Sequence, residues 1–312
     1  MFIDKLKRGE SGILLYGITP PKLSNTEEKI KEISTRRVSQ LLSAPIDGLV
    51  IYDLQDESTR TSMERPFPFL PTHDPYEYAV NYLSGLNVPK IIYRSVGKLN
   101  QKELINWCDC IQEENCATVF VGVPSKTQQV QMKLSEAYQL WKEHNKNVLL
   151  GGVTIPERHK SSREEHLRIV SKMNNGCSFF ISQCVFNVDY TKNVLSDLYF
   201  YCQQNGLKMP VIIFTLTTCG SVKTIDFMDW LGIHLPIWVQ NELSNAADVL
   251  QRSVDLCLDI AEELIYFCKS KGIPFGINIE SVSIRKDEID ASLHLLSEVN
   301  KMLKREIVNE VA

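Results

Sequence analysis

Eight short apolar runs recur along the chain, and each one is followed by a polar stretch with helical spacing. The runs are continuously apolar rather than alternating, which is typical of strands that are buried on both faces. Regular alternation of strand and helix favours parallel pairing joined by right-handed crossovers. The predicted strands are residues 13–18, 48–53, 90–94, 117–122, 148–153, 178–184, 211–215 and 275–279.

Two architectures accommodate this pattern, a closed (β/α)₈ barrel and an open doubly wound sheet. An open sheet would often show a Gly-rich turn after its first strand. Here the first strand leads into Thr19-Pro20-Pro21-Lys22, and neither G-x-G-x-x-G nor a P-loop motif occurs in the chain. We therefore predict an α/β fold, a single (β/α)₈ TIM barrel domain over residues 1–312 with a C-terminal helix. The predicted helices are residues 26–42, 75–83, 101–114, 128–144, 163–174, 191–205, 222–230, 246–271 and 286–311.

The charge balance and the cysteine pattern narrow the class of protein. Lys plus Arg is 34 and Asp plus Glu is 38, which argues against a broad nucleic-acid surface but leaves room for a small anionic ligand. The nine cysteines are odd in number and several fall inside apolar runs, which favours reduced thiols in a cytoplasmic protein. The N-terminal segment lacks the apolar core of a secretory signal. No apolar stretch approaches the ~20 residues of a membrane helix.

Polar residues cluster where the predicted strands end. In a (β/α)₈ barrel the active site lies at the carboxyl ends of the strands, so these positions are candidate site residues. Any one of them could simply satisfy loop backbone groups, but together, at one end of the barrel, they would form a polar pocket. They are Gly17, Thr19, Tyr52, Asp53, Gln55, Tyr93, Arg94, Gly122, Glu157, His159, Gln183, Asn187, Thr215, Thr217, Asn278 and Glu280.

The segment after the second predicted strand is unusual. About twenty residues without a clear element are uncommon in a compact domain, and such loops are often lids or binding loops. Several prolines restrict the residues before them to extended conformations, so we expect a stiff loop. Phe67 and Phe69 could cover a flat heterocycle, or they could pack beneath the loop or in an oligomer contact.

Two sets of potential metal ligands are present in the sequence. Cys108, Cys110 and Cys116 are close in sequence, but positions i and i+2 of a helix do not share a face, so we predict no metal site there. His144 and His294 fall in predicted helices and suit surface or packing roles. His159 follows a strand, where it could organise a loop or act as a base.

Five segments near the strand ends occur in an order and at a spacing that can be compared with those of known families. They are residues 16–22 (YGITPPK), Pro156-Glu157-Arg158-His159, Lys172 ahead of Gly176, residues 181–187 (ISQCVFN) and Leu235-Pro236-Ile237-Trp238. In this order they resemble motifs of the methylenetetrahydrofolate reductase family, whose members are (β/α)₈ barrels. The resemblance is distant and runs across most of the chain.

The departures from that family are as informative as the matches. The family's first-strand Glu, its proton donor, is matched by Gly17, and the Arg-Gly-Asp that ends its fourth strand is replaced around Gly122 and Val123. Tyr93 stands at a family histidine position. Gln183, at the pterin-contacting position, and Lys172, at the flavin-phosphate position, remain. This pattern is similar to a divergent, flavin-independent subgroup of the family.

The resemblance implies an oxidoreductase of one-carbon metabolism and methionine biosynthesis. The reaction would transfer hydride from NADH or NADPH to 5,10-methylenetetrahydrofolate, giving 5-methyltetrahydrofolate, and the need for FAD is left open. The expected substrate-binding residues are Gln183, Tyr52, Gln55, Phe67 and Phe69. The expected cofactor-binding residues are Lys172, His159, Tyr93 and Gly122. Cations that could meet the glutamate tail of the folate are Lys22, Arg60, Arg65 and Arg94.

Such a reaction requires a proton donor, because methylenetetrahydrofolate must open to an iminium ion before it accepts hydride. A carboxylic acid with a raised pKa is the expected donor. Without an acid at position 17, the catalytic candidates are Asp53, Glu280 and Glu157, with Glu57 as a further one. Asp53 and Glu280 are preferred, because Glu157 matches a family residue that reads as a binding group.

Two other functions are consistent with the same residues. The chain could be a folate-binding barrel without redox activity that serves another protein, or a folate-dependent methyl-transfer component. Fold alone does not choose among them, because (β/α)₈ barrels host many chemistries. The charged C-terminal helix could also be an interface in a homo-oligomer or with a protein partner.

Overall fold

Eight parallel strands close into a barrel in which each strand pairs with the next and the last pairs with the first. The computed structural model describes residues 2–57, 61–111, 115–123, 130–144 and 147–311. The predicted (β/α)₈ barrel with a C-terminal helix is confirmed. The strands are β1 (Ile13–Ile18), β2 (Gly48–Ile51), β3 (Lys90–Ser95), β4 (Cys116–Val121), β5 (Leu149–Thr154), β6 (Cys177–Cys184), β7 (Val211–Thr217) and β8 (Phe275–Glu280).

The helices surround this barrel and agree largely with the predicted pattern. They are α1 (Phe2–Arg8), α2 (Glu27–Leu41), α3 (Pro75–Tyr82), α4 (Gln101–Cys110), α5 (Leu134–His144), α6 (His159–Ser162), α7 (Glu165–Asn174), α8 (Val188–Gln204), α9 (Val222–Trp230), α10 (Ile237–Asn245), α11 (Val249–Lys271) and α12 (Lys286–Val311). Two short 3₁₀ helices follow β3 and β5, at Val96–Lys98 and Pro156–Arg158.

Helix ends are set by local capping. Asn100 and Glu103 form a reciprocal capping box at the start of α4. Asp248 accepts from the backbone N–H of Gln251, which starts α11 three residues later than the predicted residue 246. Helix α11 ends at Gly272, whose φ of 64° is the left-handed conformation that favours glycine. Residues 112–114 and 128–129, which belong to two predicted helices, lie outside the described residues.

The apolar side chains form two layers because alternate strand residues face opposite sides of the barrel wall. On β1, Leu15 points into the barrel, whereas Tyr16 points outward and its hydroxyl is 2.7 Å from Ser292 Oγ on α12. Helix α1 closes the amino end of the barrel, where Phe2 is fully buried against the ring of Phe179. The opposite, carboxyl end carries the polar strand-end residues.

The remaining sequence-based expectations concern thiols and membrane segments. All nine cysteines are free, and Cys110 is the exposed one. Among the described residues, no helix is both long and apolar enough to span a membrane.

Candidate functional site

A buried group of polar side chains lies at the carboxyl ends of β8, β1 and β2. Glu280 ends β8 and is the register partner of Gly17 on β1. The Cys184 thiol donates to Oε1 of Glu280 at 3.3 Å, and the Tyr52 hydroxyl and the Asn278 amide lie beside the same carboxyl group. We call Tyr52, Cys184, Asn278 and Glu280 the rim cluster.

The lack of a side chain at Gly17 makes room for this cluster. A Cβ atom at position 17 would lie 2.8 Å from Cε2 of Tyr52 and 3.2 Å from Cβ of Glu280. The Tyr52 ring and the Glu280 side chain therefore fill the space above Gly17. The carboxyl group at this end of the barrel comes from the neighbouring strand, β8.

The amide of Asn278 orders the cluster. Its Nδ2 donates to the Tyr52 hydroxyl at 2.9 Å and to Thr215 Oγ1 at 3.2 Å. Its Oδ1 is buried and has no hydrogen-bond partner in the structure. Such a buried, unpaired acceptor costs ~1–3 kcal/mol relative to a satisfied one. Asn278 therefore presents an acceptor that a ligand N–H could satisfy.

Burial favours the neutral forms of the acids in this region. It raises the pKa of Glu280 above its usual range, against the opposing effect of the neighbouring Tyr52, Cys184 and Asn278 side chains. Burial also raises the pKa of Tyr52 and of Tyr93, whose rings meet edge to face with centroids 4.7 Å apart. A carboxyl group with a raised pKa can hold a proton near neutrality and release it to a substrate.

Gln183 provides a second unsatisfied acceptor near the end of β6. Its Nε2 donates to the carbonyl oxygen of Leu231 at 3.1 Å, just after α9, which fixes the orientation of the amide. Its Oε1 is buried without a partner. The arrangement resembles that of Asn278, with one half of each amide tied to the protein and the other half left as an acceptor.

Glu157 is a third buried carboxyl group, and it lies in the 3₁₀ helix after β5. Burial, together with the nearby charge of Glu165, raises the pKa of Glu157 to about 7. Its Oε2 has no hydrogen-bond partner. Glu165 itself accepts from the backbone N–H of Ile155 at 2.9 Å and holds the turn that carries Glu157.

Asp53, a predicted proton donor, is placed in a different environment. Its carboxyl group accepts from the backbone N–H of Ser95 at 2.7 Å and pairs with Lys98 Nζ at 2.9 Å. Only 12% of the side chain is exposed. These two contacts join the loops after β2 and β3, so Asp53 organises this part of the rim, and its role as a proton donor stays a prediction.

Other predicted residues of the β2 loop and the fourth strand also join loops. Gln55 Nε2 donates to the carbonyl oxygen of Gly122 at 3.0 Å, which links the segment after β2 to the end of β4. Glu57 has a partner within the protein, and Arg60 lies outside the described residues.

The loop after β2 reaches across the carboxyl end of the barrel to α9. Trp230 Nε1 on α9 donates to the carbonyl oxygen of Met63 at 3.1 Å. The Phe67 ring packs edge to face on Phe227 at 5.3 Å, and the Arg65 guanidinium lies 5.4 Å from the Phe69 ring centre. Strands β1 and β8 lie between β2 and β7 in the barrel, so this loop spans the strand ends that carry Gly17 and Glu280.

The second half of the loop is tied to the segment after β1. Lys22 and Thr72 form an antiparallel bridge, and the N–H of His73 donates to the carbonyl oxygen of Pro21 at 3.0 Å. Lys22 is thus held at the rim. Arg94, another predicted cation for the folate tail, points outward, pairs with Asp74 and lies 4.0 Å from the ring centre of Trp107.

Two predicted cofactor-binding residues make contacts outside the barrel interior. Lys172 runs along the outer face of β5, where its Nζ donates to the carbonyl oxygen of Val153. Burial lowers its pKa. His159 is almost fully buried, and its Nε2 lies 3.0 Å from Asp197 Oδ2 on α8. Their assignment to a cofactor stays a prediction.

Sequence reasoning missed Cys184 and Trp230 as members of this end of the barrel. Cys184 stands where the motif of the resembled reductase family has an aromatic residue, and that departure was the available signal. Trp230 ends an ordinary amphipathic helix, and nothing local indicates that its indole N–H meets a loop that follows β2.

The fold and these strand-end contacts define a (β/α)₈-barrel protein with a buried, polar, carboxyl-bearing site at the carboxyl ends of its strands. A solved structure of a protein from Clostridium thermocellum is similar along 97% of this chain and 100% of its own, with 49% identity and a TM-score of 0.87. That protein binds two copies of 5-methyl-5,6,7,8-tetrahydrofolic acid. The chain belongs to the same family as this Clostridium thermocellum protein.

Two further solved structures share much less with the chain. A 2,3-dimethylmalate lyase of the PEP mutase/isocitrate lyase superfamily has 12% identity and a TM-score of 0.46, covering 98% of this chain and 96% of its own. An endo-1,4-beta-xylanase from Caldicellulosiruptor owensensis has 10% identity and a TM-score of 0.47, covering 89% and 87%. These values are too low to bear on function. No protein-family model and no curated protein matches the chain, so the resemblance to methylenetetrahydrofolate reductases stays a prediction.

Proposed function

We propose that this protein binds a reduced folate, with the pterin ring held at the rim cluster and Gln183. The observation that carries the proposal is the family relationship to a protein that binds 5-methyltetrahydrofolate, at 49% identity over nearly the whole chain. The position of these residues supports this location, because sites in (β/α)₈ barrels form at the carboxyl ends of the strands.

The unpaired acceptors of the rim cluster and of Gln183 are complementary to the hydrogen-bond donors of a pterin. A pterin ring carries several N–H donors along its edge, and the buried Oε1 of Gln183 and Oδ1 of Asn278 are acceptors without partners. Each would gain a hydrogen bond on binding, which removes the cost of a buried unpaired group. Arg65 and Lys22, on the loops at this end, are the cations we assign to the anionic glutamate tail.

We further propose that the bound folate is reduced, with Glu280 as the proton donor. Protonation of N10 of 5,10-methylenetetrahydrofolate by Glu280 would break the bond from N10 to the methylene carbon and leave an iminium ion at N5. Hydride from NADH or NADPH then adds to that carbon and gives the 5-methyl product and the oxidised nicotinamide. Glu280 regains its proton from water. The raised pKa of Glu280 supports this role.

Direct transfer from the nicotinamide, without flavin, is part of this proposal. The residues at the positions that hold flavin in the related reductases do not fit that cofactor well. The Lys172 amino group donates a hydrogen bond to the Val153 carbonyl oxygen. Gly122 and Val123 stand where those reductases have the charged residues that end the fourth strand. Hydride transfer in that case needs the nicotinamide in contact with the folate, and the loop with Phe67 and Phe69 is where we place the contact surface.

A second candidate is a folate-binding barrel without redox activity. The family relative binds the 5-methyl form, which is the product of the reduction and also the form that a carrier or a methyl-transfer component would hold. A methyl-transfer role predicts exchange of the methyl group with a corrinoid or an acceptor protein. Both the carrier role and the methyl-transfer role would be compatible with a homo-oligomer or with binding to a protein partner.

Folate binding is tested by calorimetric titration with 5-methyltetrahydrofolate. We expect Gln183→Ala to weaken binding by about tenfold, since a buried hydrogen bond is worth ~1–1.5 kcal/mol. Gln139→Ala is the matched control, because Gln139 is exposed on α5 and bonds to Glu143. Equal affinity for wild type and Gln183→Ala would remove Gln183 from the site, and no binding by wild type would overturn the proposal.

The reaction is tested by anaerobic oxidation of NADH or NADPH with methylenetetrahydrofolate, with and without added FAD. Turnover without FAD that is lost in Glu280→Gln supports direct transfer with Glu280 as the donor. Turnover only with FAD overturns the flavin-free mechanism. Folate binding without turnover in either case favours the non-redox candidate.

A further inference from the structure

We infer that His159, His166 and Asp197 form a binding site for a divalent transition-metal ion of the Zn²⁺ type on the helix-covered side of the barrel. One donor atom from each of the three side chains lies within 4.8 Å of the other two. The residues come from α6, α7 and α8, so the site would join three consecutive helices. The inference goes beyond the proposed folate function and does not depend on it.

The ring nitrogens of the two histidines provide an independent indication of a ligand. His159 is almost fully buried; its Nε2 meets Asp197 Oδ2 at 3.0 Å, and its Nδ1 is buried without a hydrogen-bond partner. The Nδ1 of His166 is likewise buried without a partner. The two ring centres are 5.5 Å apart. Buried ring nitrogens normally bond to protein, water or metal, so each of these two rings has a nitrogen that is free to bind a ligand.

Asp197 already forms an ion pair with an arginine side chain. The guanidinium of Arg163 lies 3.3 Å from Oδ1 and 3.1 Å from Oδ2 of Asp197. Arg163 adopts a φ of 52°, which is uncommon for a residue other than glycine, and 77% of its side chain is exposed. A metal ion and Arg163 would compete for the same carboxylate, so removal of the guanidinium should strengthen metal binding.

The ligand set determines which ion fits. Two imidazole nitrogens and one carboxylate oxygen are a common protein set for Zn²⁺, with a fourth position left for water. Mg²⁺ and Ca²⁺ prefer oxygen ligands, so neither should bind here with comparable strength. Asp197 is 27% exposed, which gives an ion access from solvent.

The site is separate from the rim cluster. Within the described part of the chain, no hydrogen bond or ring contact joins these three side chains to Tyr52, Cys184, Asn278 or Glu280. We therefore expect a bound ion to cross-link α6, α7 and α8 and raise the thermal midpoint, without being required for folate binding.

The test is a titration of chelator-treated protein with Zn²⁺ and with Co²⁺, whose absorption spectrum reports the ligands. Cys110→Ser serves as the background because Cys110 is the exposed thiol of the nine. In that background we expect one ion per chain, a weak visible Co²⁺ band without thiolate charge transfer, and at least tenfold weaker binding in His166→Ala. His144→Ala is the control, since His144 ends α5 away from the site. Arg163→Gln should bind severalfold more tightly.

Several outcomes would overturn the inference. They are the absence of stoichiometric binding by the background protein, unchanged affinity in His166→Ala, and a thiolate-to-cobalt band, which would place the ion on cysteine. If His166→Ala fails to fold, His166→Gln preserves the size and hydrogen bonding of the side chain and decides the matter by the same criteria. Weaker rather than tighter binding in Arg163→Gln would also contradict the proposed competition.

Discussion

Gly17 and Glu280 are register partners on adjacent strands, and the space above the glycine is filled by the ring of Tyr52 and the side chain of Glu280. The inward-facing carboxyl group at this end of the barrel comes from the last strand, beside a glycine on the first. Adjacent strands in a closed barrel present their final inward residues to the same small volume. An acid on either of the two strands would therefore reach the same part of the site.

This relationship predicts that position 17 does not tolerate a side chain. In Gly17→Ala the new Cβ would lie 2.8 Å from the Tyr52 ring, which is closer than real Cβ contacts allow. We expect a loss of ~1–3 kcal/mol in the free energy of unfolding, measured by urea denaturation, because a packed site resists an added methyl group. Gly85→Ala is the control, since its Cβ would meet only Val38 at 3.6 Å. Equal stability of the two variants would contradict the packing argument.

Glu280→Gln should stabilise the protein at neutral pH, and under the reaction proposed above it should also abolish turnover. The folded-state pKa of Glu280 is raised by burial, so the native state binds its proton more tightly than the unfolded state, whose pKa is ~4.3. This contribution to stability is fully present below that value and falls as pH rises through the folded pKa. The surrounding Tyr52, Tyr93 and Cys184 also have raised pKa values and stay neutral over this range.

The measurement for Glu280→Gln is urea unfolding of both proteins at several pH values from 5 to 8. The difference in stability between variant and wild type should grow as pH rises, since every other titrating group is common to the two. A difference that is independent of pH would show that Glu280 has an ordinary pKa and would weaken its assignment as the proton donor.

Much of the fold follows from local sequence patterns, because continuous apolar runs mark strands that are buried on both faces. Helices α1, α6 and α10 were not predicted. Helix α1 has only seven residues, and it is stabilised by a tertiary contact, the packing of Phe2 against Phe179 at the end of the barrel. Local sequence patterns do not show such a contact. Helix α10 exposes Ile237 and Trp238, so its sequence lacks the usual contrast between an apolar and a polar face.

The candidate site was predictable in part. The rule that sites lie at strand ends directs attention to Glu280 and Asn278, but it does not say which way each side chain faces. Tyr93 faces the barrel interior, whereas the next residue, Arg94, faces outward. Asp53 lies at a strand end as expected, yet Lys98, 45 residues later in the chain, has paired with it. Such long-range pairing is not encoded in any local pattern.

Asp74 links α3 to β3, and its removal should destabilise both. Its Oδ1 accepts from the backbone N–H of Tyr76 and of Glu77, which caps α3, and its Oδ2 pairs with the buried Arg94. We expect Asp74→Ala to cost ~1–3 kcal/mol in the free energy of unfolding, from the lost cap and the unpaired guanidinium. Asp74→Asn keeps the cap and should cost less.

The same contact predicts a pH dependence of stability. The Arg94 partner holds the pKa of Asp74 below its ordinary value, against the opposing effect of burial. Stability from this carboxylate is therefore present above its unfolded pKa of ~3.9 and lost as pH falls through the lower folded pKa. In acid titrations, Asp74→Asn should lose less stability than wild type below about pH 4. Parallel curves for the two proteins would contradict the pairing.

The contact between Trp230 and Met63 should control the opening of the loop over the rim cluster. Trp230→Phe keeps a large ring for packing but removes the N–H that donates to the Met63 carbonyl oxygen. A hydrogen bond of this kind contributes ~1 kcal/mol, so we expect amide exchange across residues 61–73 to quicken by about fivefold. Trp238→Phe is the control, because Trp238 is 58% exposed on α10. If the loop closes over bound folate, Trp230→Phe should also release 5-methyltetrahydrofolate faster, with little change in the association rate. Unchanged amide exchange and unchanged release would show that this hydrogen bond does not hold the loop closed.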